Sequence, residues 1–528
     1  MESERDRALI IIHNADLAHP GLPLIETFLN DAVDPDQAAS FWLKTYTDEE
    51  RDTDFERFFK DWKDLVTLFS VEDPSSSNPS PTLKKKVAQR DNYRCCLTGE
   101  QGRLWEICDV FPIVPPTAFC IRDQRLIDLL GAFTTPCYRG LLKIQTLENH
   151  TRNLWTLSQD AAIAFSRGAI RLERLEDTKY EIFSNSIGGK APAICTLARF
   201  FDWKCDLVDH SDSGIESPAP ELLDIRSRFS RALMWTDIAT KIHNRSRPSR
   251  GQNRDTSYFI PTLSTVFLSM WLKFPEFVRF QTYRILRATG SYLYGSTKGG
   301  VQRLPFGMYL KHGPEYHANR HIGEFNALEI VRSQTRIPVP RPIDHLLSRT
   351  ESFLVTSRLE GEPAGLALDK CSDEEMSQIG QDLRSWIAEL HTIEVERDPK
   401  YAITNATGGP CLDYRIGGDP VGPFSSEKEF SDSLRLGILP GLVHRTDHQI
   451  VFTHADLNLR NIMVKDGKLS GIVDWENAGF FPEYWEYTKC YFGASLIKRW
   501  LKVVDGVFDN KYTAELGIER QYWEYNSL

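Results

Sequence analysis

Three polar residues near the C-terminal end constrain this chain more than any other feature. Asp456 and Asn461 precede a β-prone run, and Asp474 follows a second one. Between the two runs lies Asp466-Gly467, which predicts a tight β-hairpin. Because a hairpin brings the chain back on itself, we expect these two carboxylates and one amide to gather around one point.

This combination suits phosphoryl transfer, in which a protein mainly positions the reactants and neutralises charge. The reaction needs a carboxylate that faces the acceptor hydroxyl, and oxygen ligands that hold Mg²⁺ against the nucleotide phosphates. Asp456 and Asn461 have the Asp-x-x-x-x-Asn spacing of a kinase catalytic loop. Asp474 stands where kinases place a metal-binding aspartate.

The longer motifs resemble a known family. His454-Ala-Asp-Leu-x-x-x-Asn461 followed by Ile472-Val-Asp-Trp-Glu476 is similar to the aminoglycoside phosphotransferase and choline kinase group, and the residues after Glu476 are similar to its fungal branches. The resemblance covers about residues 265–528, with Ala455 where the family usually has Gly. It implies an α+β, two-lobed protein-kinase-like fold for residues 259–528.

The resemblance also implies roles for individual residues. Asp456 would accept or orient the proton of the acceptor hydroxyl, and His454 would brace the loop. Asn461 and Asp474 would bind Mg²⁺.

Further family positions lie earlier in the chain. Lys311, on a predicted strand, would contact the nucleotide phosphates, and Glu324 would pair with it, with Glu329 as the competing choice. The segment Gly295–Gly300 could cover the phosphates. The predicted strand Phe353–Leu359 would offer backbone groups to adenine.

A second resemblance covers residues 83–209. The segment begins Arg90-Asp-x-x-x-Cys-x-x-Thr-Gly99 and later has Phe165-x-x-Gly168, which resembles an HNH-endonuclease-type domain, a small mixed α/β fold. That mechanism needs one histidine as base and another as metal ligand. Asp109 and Ala162 occupy those positions, so we interpret the segment as a degenerate structural or binding module.

The remaining segments contain no motif that predicts a chemical function. Residues 1–71 are predicted to be helical, because Phe55, Phe58, Phe59 and Trp62 have the spacing of one helix face. Residues 72–82 are predicted to be a linker because they are rich in Ser and Pro. Residues 210–258, with their Ser, Pro and Arg content, are predicted to be a linker with a flexible segment.

Composition narrows the class of protein. Of 528 residues, 63 are Lys or Arg and 73 are Asp or Glu, a net charge of −10 that argues against a chain-wide nucleic-acid binder. Ten cysteines without a Cys-x-x-Cys pair suggest reduced thiols. Without a run long enough to span a membrane, we expect a cytoplasmic protein, with the nucleus as the alternative.

We therefore predict an ATP- and Mg²⁺-dependent kinase that phosphorylates a hydroxyl of a small molecule. Its partners would be that substrate and the nucleotide, with neither a membrane nor nucleic acid. The alternatives are a pseudokinase or scaffold that has lost turnover, a protein kinase, and an HNH-type nuclease or nucleic-acid-binding module. Asp474-Trp-Glu476 in place of Asp-Phe-Gly argues against a protein kinase.

Overall fold

The computed structural model divides the chain into two compact units, Met1–Pro248 and Ser249–Leu528. It describes the following residues: 3–47, 53–70, 79–101, 108–185, 204–246, 268, 270–295, 300–413, 415, 419–435, 444–494 and 497–526. None of the helices in these ranges is long and apolar enough to cross a membrane.

The N-terminal unit mixes helices with short strands. Its helices are α1 (Glu4–Asn14), α2 (Gly21–Asn30), α3 (Pro35–Tyr46), α4 (Phe55–Thr67), α5 (Pro81–Arg90), α6 (Gln124–Phe133), α7 (Pro136–Leu142), α8 (Gln159–Ser166), α9 (Pro220–Arg228) and α10 (Ser230–Ser246). Its strands are β1 (Asp109–Pro112), β2 (Leu154–Leu157), β3 (Ile170–Arg174), β4 (Lys179–Ser184) and β5 (Lys204–Asp206). Strands β1 and β2 pair antiparallel, and β3, β4 and β5 form a second sheet.

The predicted aromatic stripe lies on α4. Phe58 and Trp62 are fully buried, and Trp62 packs against Phe133 of α6 and against Phe229, the residue after α9. The helix therefore turns this face toward the core, as its spacing predicts.

The predicted linker over 210–258 is wrong for residues 220–246, which form α9 and α10. Leu222, Phe229 and Trp235 belong to the same hydrophobic core as α1–α4. The Ser/Pro run before Pro220 favoured the linker prediction over the helical spacing of the apolar residues that follow it. Burial of the apolar face formed by those residues stabilises the helices. Of the predicted linker 72–82, residues 72–78 lie outside the described range, and α5 already begins at Pro81.

Within residues 83–209, the structure places the two substituted positions on β1 and α8. Asp109 is exposed and forms an ion pair with Lys84, with Nζ 2.7 Å from Oδ2. Ala162 is buried in the core. The helix that carries Ala162 ends at Ser166, just before Gly168. The identity of this segment as a degenerate HNH-like module stays a prediction.

The C-terminal unit contains the residues with predicted chemistry. Its helices are α11 (Glu276–Tyr294), α12 (Ala318–Gln334), α13 (Ala364–Ala367), α14 (Asp373–Leu390), α15 (Glu427–Arg435), α16 (Trp485–Phe492), α17 (Lys498–Phe508) and α18 (Thr513–Asn526). Its strands are β6 (Val301–Leu304), β7 (Met308–Pro314), β8 (Pro342–Leu347), β9 (Glu351–Ser357), β10 (Glu362–Pro363), β11 (Thr404–Asn405), β12 (Ile450–Thr453), β13 (Ile462–Lys465), β14 (Lys468–Ile472) and β15 (Gly479–Pro482).

The first part of this unit is a four-stranded antiparallel sheet in the order β6-β7-β9-β8, against which α12 packs. Strand β7 begins at Met308, because Phe306 and Gly307 form a turn with positive φ angles. Lys311 lies in the middle of β7, opposite Leu354 of β9.

The second part is mostly helical, with two three-stranded sheets among its described residues, in the orders β10-β13-β14 and β11-β15-β12. The predicted hairpin is confirmed: β13 and β14 pair antiparallel, and Asp466 and Gly467 have positive φ angles. Helix α14 buries Leu383, Ile387 and Leu390 in the core of this unit.

Candidate active site

The loop after β12 carries the predicted catalytic residue. His454 lies at the turn, and its two ring nitrogens are both engaged: Nδ1 accepts from the backbone N–H of Asp456 at 3.2 Å, and Nε2 lies 3.0 Å from the carbonyl oxygen of Val473. Because Nδ1 accepts, Nε2 must carry the proton and donate it. These two hydrogen bonds let His454 hold the loop in place, and neither ring nitrogen is left for proton transfer.

A carboxylate from α16 holds the same loop by its backbone. Glu486 is buried and accepts from three backbone N–H groups, those of His454 at 2.7 Å, Ala455 at 3.1 Å and Leu457 at 3.1 Å. Ala455 has a φ angle of 60°, a region that residues other than glycine rarely adopt. These hydrogen bonds offset the cost of that conformation. Burial raises the pKa of Glu486, against the opposing effect of the three donors.

We expect Glu486→Ala to destabilise the C-terminal unit by at least about 3 kcal/mol, because buried N–H donors would lose their acceptor. Glu486→Gln keeps one acceptor oxygen and should have an intermediate effect. Differential scanning calorimetry of the full chain would measure the shift. The exposed Glu394→Ala serves as the control and should change stability by less than about 0.5 kcal/mol. Equal effects of Glu486→Ala and Glu394→Ala would contradict this role.

The carboxylate of Asp456 is held at both oxygens. Its Oδ2 accepts from Nδ2 of Asn461 at 3.0 Å, and its Oδ1 lies 3.3 Å from Nζ of Lys489. Nδ2 of Asn461 also donates to the backbone oxygen of Asp456, at 2.8 Å. The side chain of Asp456 keeps 12% of its surface exposed, so one edge can still be reached from outside.

Lys489 links Asp456 to a second, fully buried carboxylate. Its Nζ lies 3.3 Å from Oδ1 of Asp413, whose other contacts include Arg415 at 2.8 Å and the indole N–H of Trp485 at 3.0 Å. Burial alone would raise the pKa of Asp413, but Arg415 and Lys489 hold it below its usual value. Asp413 therefore stays charged and fixes the ammonium that faces Asp456.

A second cluster forms around Lys311. Its Nζ lies 2.6 Å from Oε2 of Glu324 on α12 and also forms an ion pair with Asp474. Glu324 is buried, whereas Glu329 is exposed, so Glu324 is the partner. Burial opposes the charge on Lys311, but Glu324, Asp474 and Glu476 together raise its pKa above its usual range.

The acidic residues of this cluster form a potential cation site. Ligand oxygens of Glu324, Asp474 and Glu476 lie within 4.8 Å of one another. Burial and the neighbouring Asp474 raise the pKa of Glu324 to about 7, whereas Lys311 keeps the pKa of Asp474 low in spite of burial. Mg²⁺ prefers hard oxygen ligands, so this donor set fits it.

Two backbone-linked contacts place Asp474 beside the catalytic loop. The N–H of Val473 donates to the carbonyl oxygen of Asn461 at 2.9 Å, and the ring of His454 reaches the carbonyl of the same valine. Asp474 follows directly, with a φ angle of 69°. The predicted residues thus come together as two adjoining sets, Asp456 with Asn461 and His454, and Lys311 with Glu324 and Asp474.

Two other predicted elements can be compared with the structure. Of the proposed phosphate-covering segment Gly295–Gly300, residues 296–299 lie outside the described range. The predicted strand Phe353–Leu359 is β9, which spans Glu351–Ser357.

Sequence reasoning missed Glu476, Glu486 and Lys489 as members of the site. Glu476 could have been noticed from its place two residues after Asp474. Glu486 and Lys489 are charged residues inside the otherwise apolar and aromatic run Tyr484–Phe492, and both are buried. A charge in such a run is a signal of a paired, buried group.

Part of this chain is similar to known phosphotransferases. Residues 296–520 match the model of the phosphotransferase enzyme family (APH), so the C-terminal half contains a domain of this type. The chain is 26% identical over 168 residues to an aminoglycoside 3'-phosphotransferase of Enterococcus faecalis, and 25% identical over 168 residues to one of Staphylococcus aureus. Each match spans 29% of this chain and 59% of the relative's own length.

Among solved structures, the aminoglycoside phosphotransferase APH(3'')-Id of Streptomyces rimosus in complex with ADP and streptomycin is 19% identical. Its match covers 47% of this chain and 97% of that chain, with a TM-score of 0.30. An aminoglycoside 3'-phosphotransferase of type VIII is 16% identical, with 44% and 90% coverage and a TM-score of 0.32.

Proposed function

We propose that the C-terminal unit is an ATP- and Mg²⁺-dependent phosphotransferase that phosphorylates a hydroxyl group of a small molecule. One observation carries the proposal: the Lys311–Glu324–Asp474 cluster adjoins the loop that holds Asp456 and Asn461. The match to the phosphotransferase family model supports the same reaction class. For the acceptor we propose only the chemical class, an alcohol.

In the proposed reaction, Asp456 orients the acceptor hydroxyl and takes its proton. Asn461 and Lys489 hold the two carboxylate oxygens, so that the exposed edge of Asp456 faces the acceptor. This fixed orientation lowers the entropic cost of bringing the hydroxyl into line.

Lys311 would bind the nucleotide phosphates, and Glu324 would hold the ammonium in place. Asp474, with Asn461 and Glu476, would supply the oxygen ligands of Mg²⁺, while Nδ2 of Asn461 remains bound to Asp456 and leaves the amide oxygen for the metal. When bound, Mg²⁺ neutralises charge on the transferred phosphoryl group.

An active kinase is favoured over a pseudokinase by the state of these residues. The four core side chains, Lys311, Asp456, Asn461 and Asp474, are all present: Lys311 contacts Glu324 and Asp474, and Asp456 contacts Asn461. A scaffold would have no need to keep a buried lysine between acids, because such burial costs free energy.

The test uses the purified full-length protein with ATP, MgCl₂ and a broad extract of small metabolites, with aminoglycosides as a separate arm. We expect a phosphorylated product that depends on Mg²⁺, and a rise in melting temperature with ATP and Mg²⁺. Absence of both product and nucleotide binding would overturn the proposal. Binding without product would favour the pseudokinase, and phosphate on added protein would favour a protein kinase.

A further inference from the structure

One exposed cation, Arg460, lies in the loop between Asp456 and Asn461. The three residues that precede it in this loop are buried, whereas Arg460 is exposed. The loop therefore turns one guanidinium outward, on a segment whose two ends carry the proposed base and a proposed metal ligand.

The side chain of Asn458 ties this guanidinium to the backbone of the loop. Its Oδ1 accepts from the backbone N–H of Arg460 at 2.9 Å and from Nε of the same residue at 3.4 Å. Its Nδ2 donates to the backbone oxygen of Asp456 at 3.2 Å, and that oxygen also accepts from Nδ2 of Asn461 at 2.8 Å. One amide group therefore separates the guanidinium from the residue that carries the proposed base.

The two terminal nitrogens of Arg460 are available to a ligand. Within the part of the chain that the structure describes, Nη1 and Nη2 form no hydrogen bond and no ion pair. Lys311 and Lys489, by contrast, each lie between two carboxylates. A guanidinium presents parallel N–H groups that match the oxygens of a phosphate. Arg460 is thus a cation of the site that can bind a phosphoryl group without giving up an ion pair.

The charge of Arg460 also acts on the second set of site residues. Burial raises the pKa of Asp474, but Lys311, His454 and Arg460 together lower it. In phosphoryl transfer, the moving group lies between the acceptor hydroxyl, which Asp456 would orient, and the metal, which Asp474 would hold. Arg460 is linked to the first of these carboxylates through Asn458 and to the second through its charge.

We propose that Arg460 is a further catalytic residue, whose terminal N–H groups bind two oxygens of the phosphoryl group during transfer. This role presupposes the proposed function. In that step the acceptor oxygen forms a bond to the terminal phosphorus of ATP and gives its proton to Asp456. The bond from this phosphorus to the bridging oxygen breaks, and its electron pair leaves with ADP. A cation fixed beside the oxygens of the moving group stabilises the charge spread over them.

The first experiment measures binding of MgADP to the full-length protein by calorimetric titration, with and without aluminium fluoride. Aluminium fluoride beside ADP imitates the planar phosphoryl group, so it should tighten binding to the wild type. Arg460→Met should reduce this gain at least about tenfold, the loss expected for one hydrogen bond to a charged group. MgADP alone should bind both proteins equally.

The results separate this role from the proposed function. If aluminium fluoride gave the same gain with the wild type and with Arg460→Met, or no gain with either, the role of Arg460 would be overturned while nucleotide binding stood. A wild type that failed to bind MgADP at all would overturn the proposed function, and this role with it.

The second experiment compares steady-state rates with ATP and the identified acceptor. Arg460→Met should lower kcat about 10²–10³-fold, as loss of one preorganised donor does, and should leave the KM for ATP nearly unchanged. Arg460→Lys keeps the charge without the planar fork and should restore part of the rate. A higher KM for ATP at unchanged kcat would show that the residue binds the ground state and the transition state equally, which would overturn the proposal.

The control is Arg349→Met, in the turn between β8 and β9. Arg349 is exposed and forms no ion pair with a described residue. This variant should keep the kcat and the aluminium fluoride response of the wild type. Both methionine variants should melt within about 2 °C of the wild type, because exposed side chains of this kind contribute little to stability. Equal losses of kcat in the two variants would contradict the role of Arg460.

Discussion

Asp456→Asn should lower turnover by about 10²–10⁴-fold, the range that general base catalysis contributes, and should leave nucleotide binding close to that of the wild type. The substitution keeps the size of the side chain but removes the negative charge that accepts the proton. It also removes the charge that faces Lys489, which would retain Asp413 as its partner. Steady-state rates with ATP and the identified acceptor, together with calorimetric titration of nucleotide, measure both effects.

A matched control lies on the neighbouring hairpin. Asp466 is exposed at the β13–β14 turn, and its φ angle of 51° is one that asparagine adopts readily. Asp466→Asn should therefore leave turnover and stability unchanged. If Asp456→Asn kept wild-type turnover, Asp456 would not be the base.

Asp474→Asn should weaken Mg²⁺-dependent nucleotide binding by at least about 10–100-fold, the loss seen even when only an indirect partner of a metal ligand is removed. The backbone at this position has a positive φ angle that asparagine tolerates, so the fold should survive. Titration of ATP at increasing MgCl₂ would show the loss, and EDTA should reduce the wild type to the level of the variant.

The dependence of the Asp474→Asn effect on Mg²⁺ distinguishes two roles for Asp474. A role limited to the ion pair with Lys311 would weaken ATP binding equally with and without MgCl₂. A role as a metal ligand would weaken it only when MgCl₂ is present. Unchanged Mg²⁺ dependence would contradict the assignment of Asp474.

The two sets of site residues are held in place by different contacts. Asp456 depends on α16, which supplies Glu486 to the loop backbone and Lys489 to the carboxylate. Asp474 depends on the backbone contacts between Val473, Asn461 and His454. A substitution in α16 should therefore disturb Asp456 more than the Lys311 cluster.

Much of the C-terminal site follows from local sequence pattern. The Asp466-Gly467 turn predicted the hairpin, and the spacing of Asp456 and Asn461 predicted a loop in which the two side chains meet, as they do at 3.0 Å. These are short-range relationships, for which turn chemistry and spacing are sufficient.

Other features depend on contacts between residues far apart in the chain. Nothing in the local pattern reveals that Glu486 accepts hydrogen bonds from a loop some thirty positions earlier, or that Lys489 lies between Asp413 and Asp456. The same limit explains the error over residues 220–246, whose helices are stabilised by a core formed with α1–α4.

The amino-acid sequence by itself led to the proposed class of chemistry, because carboxylates, an amide and a lysine at kinase spacing suit few other reactions. Only the tertiary structure decided which glutamate pairs with Lys311. Glu324 and Glu329 lie five residues apart and therefore on different faces of α12, so the packing of that helix buries one beside the lysine and leaves the other in solvent.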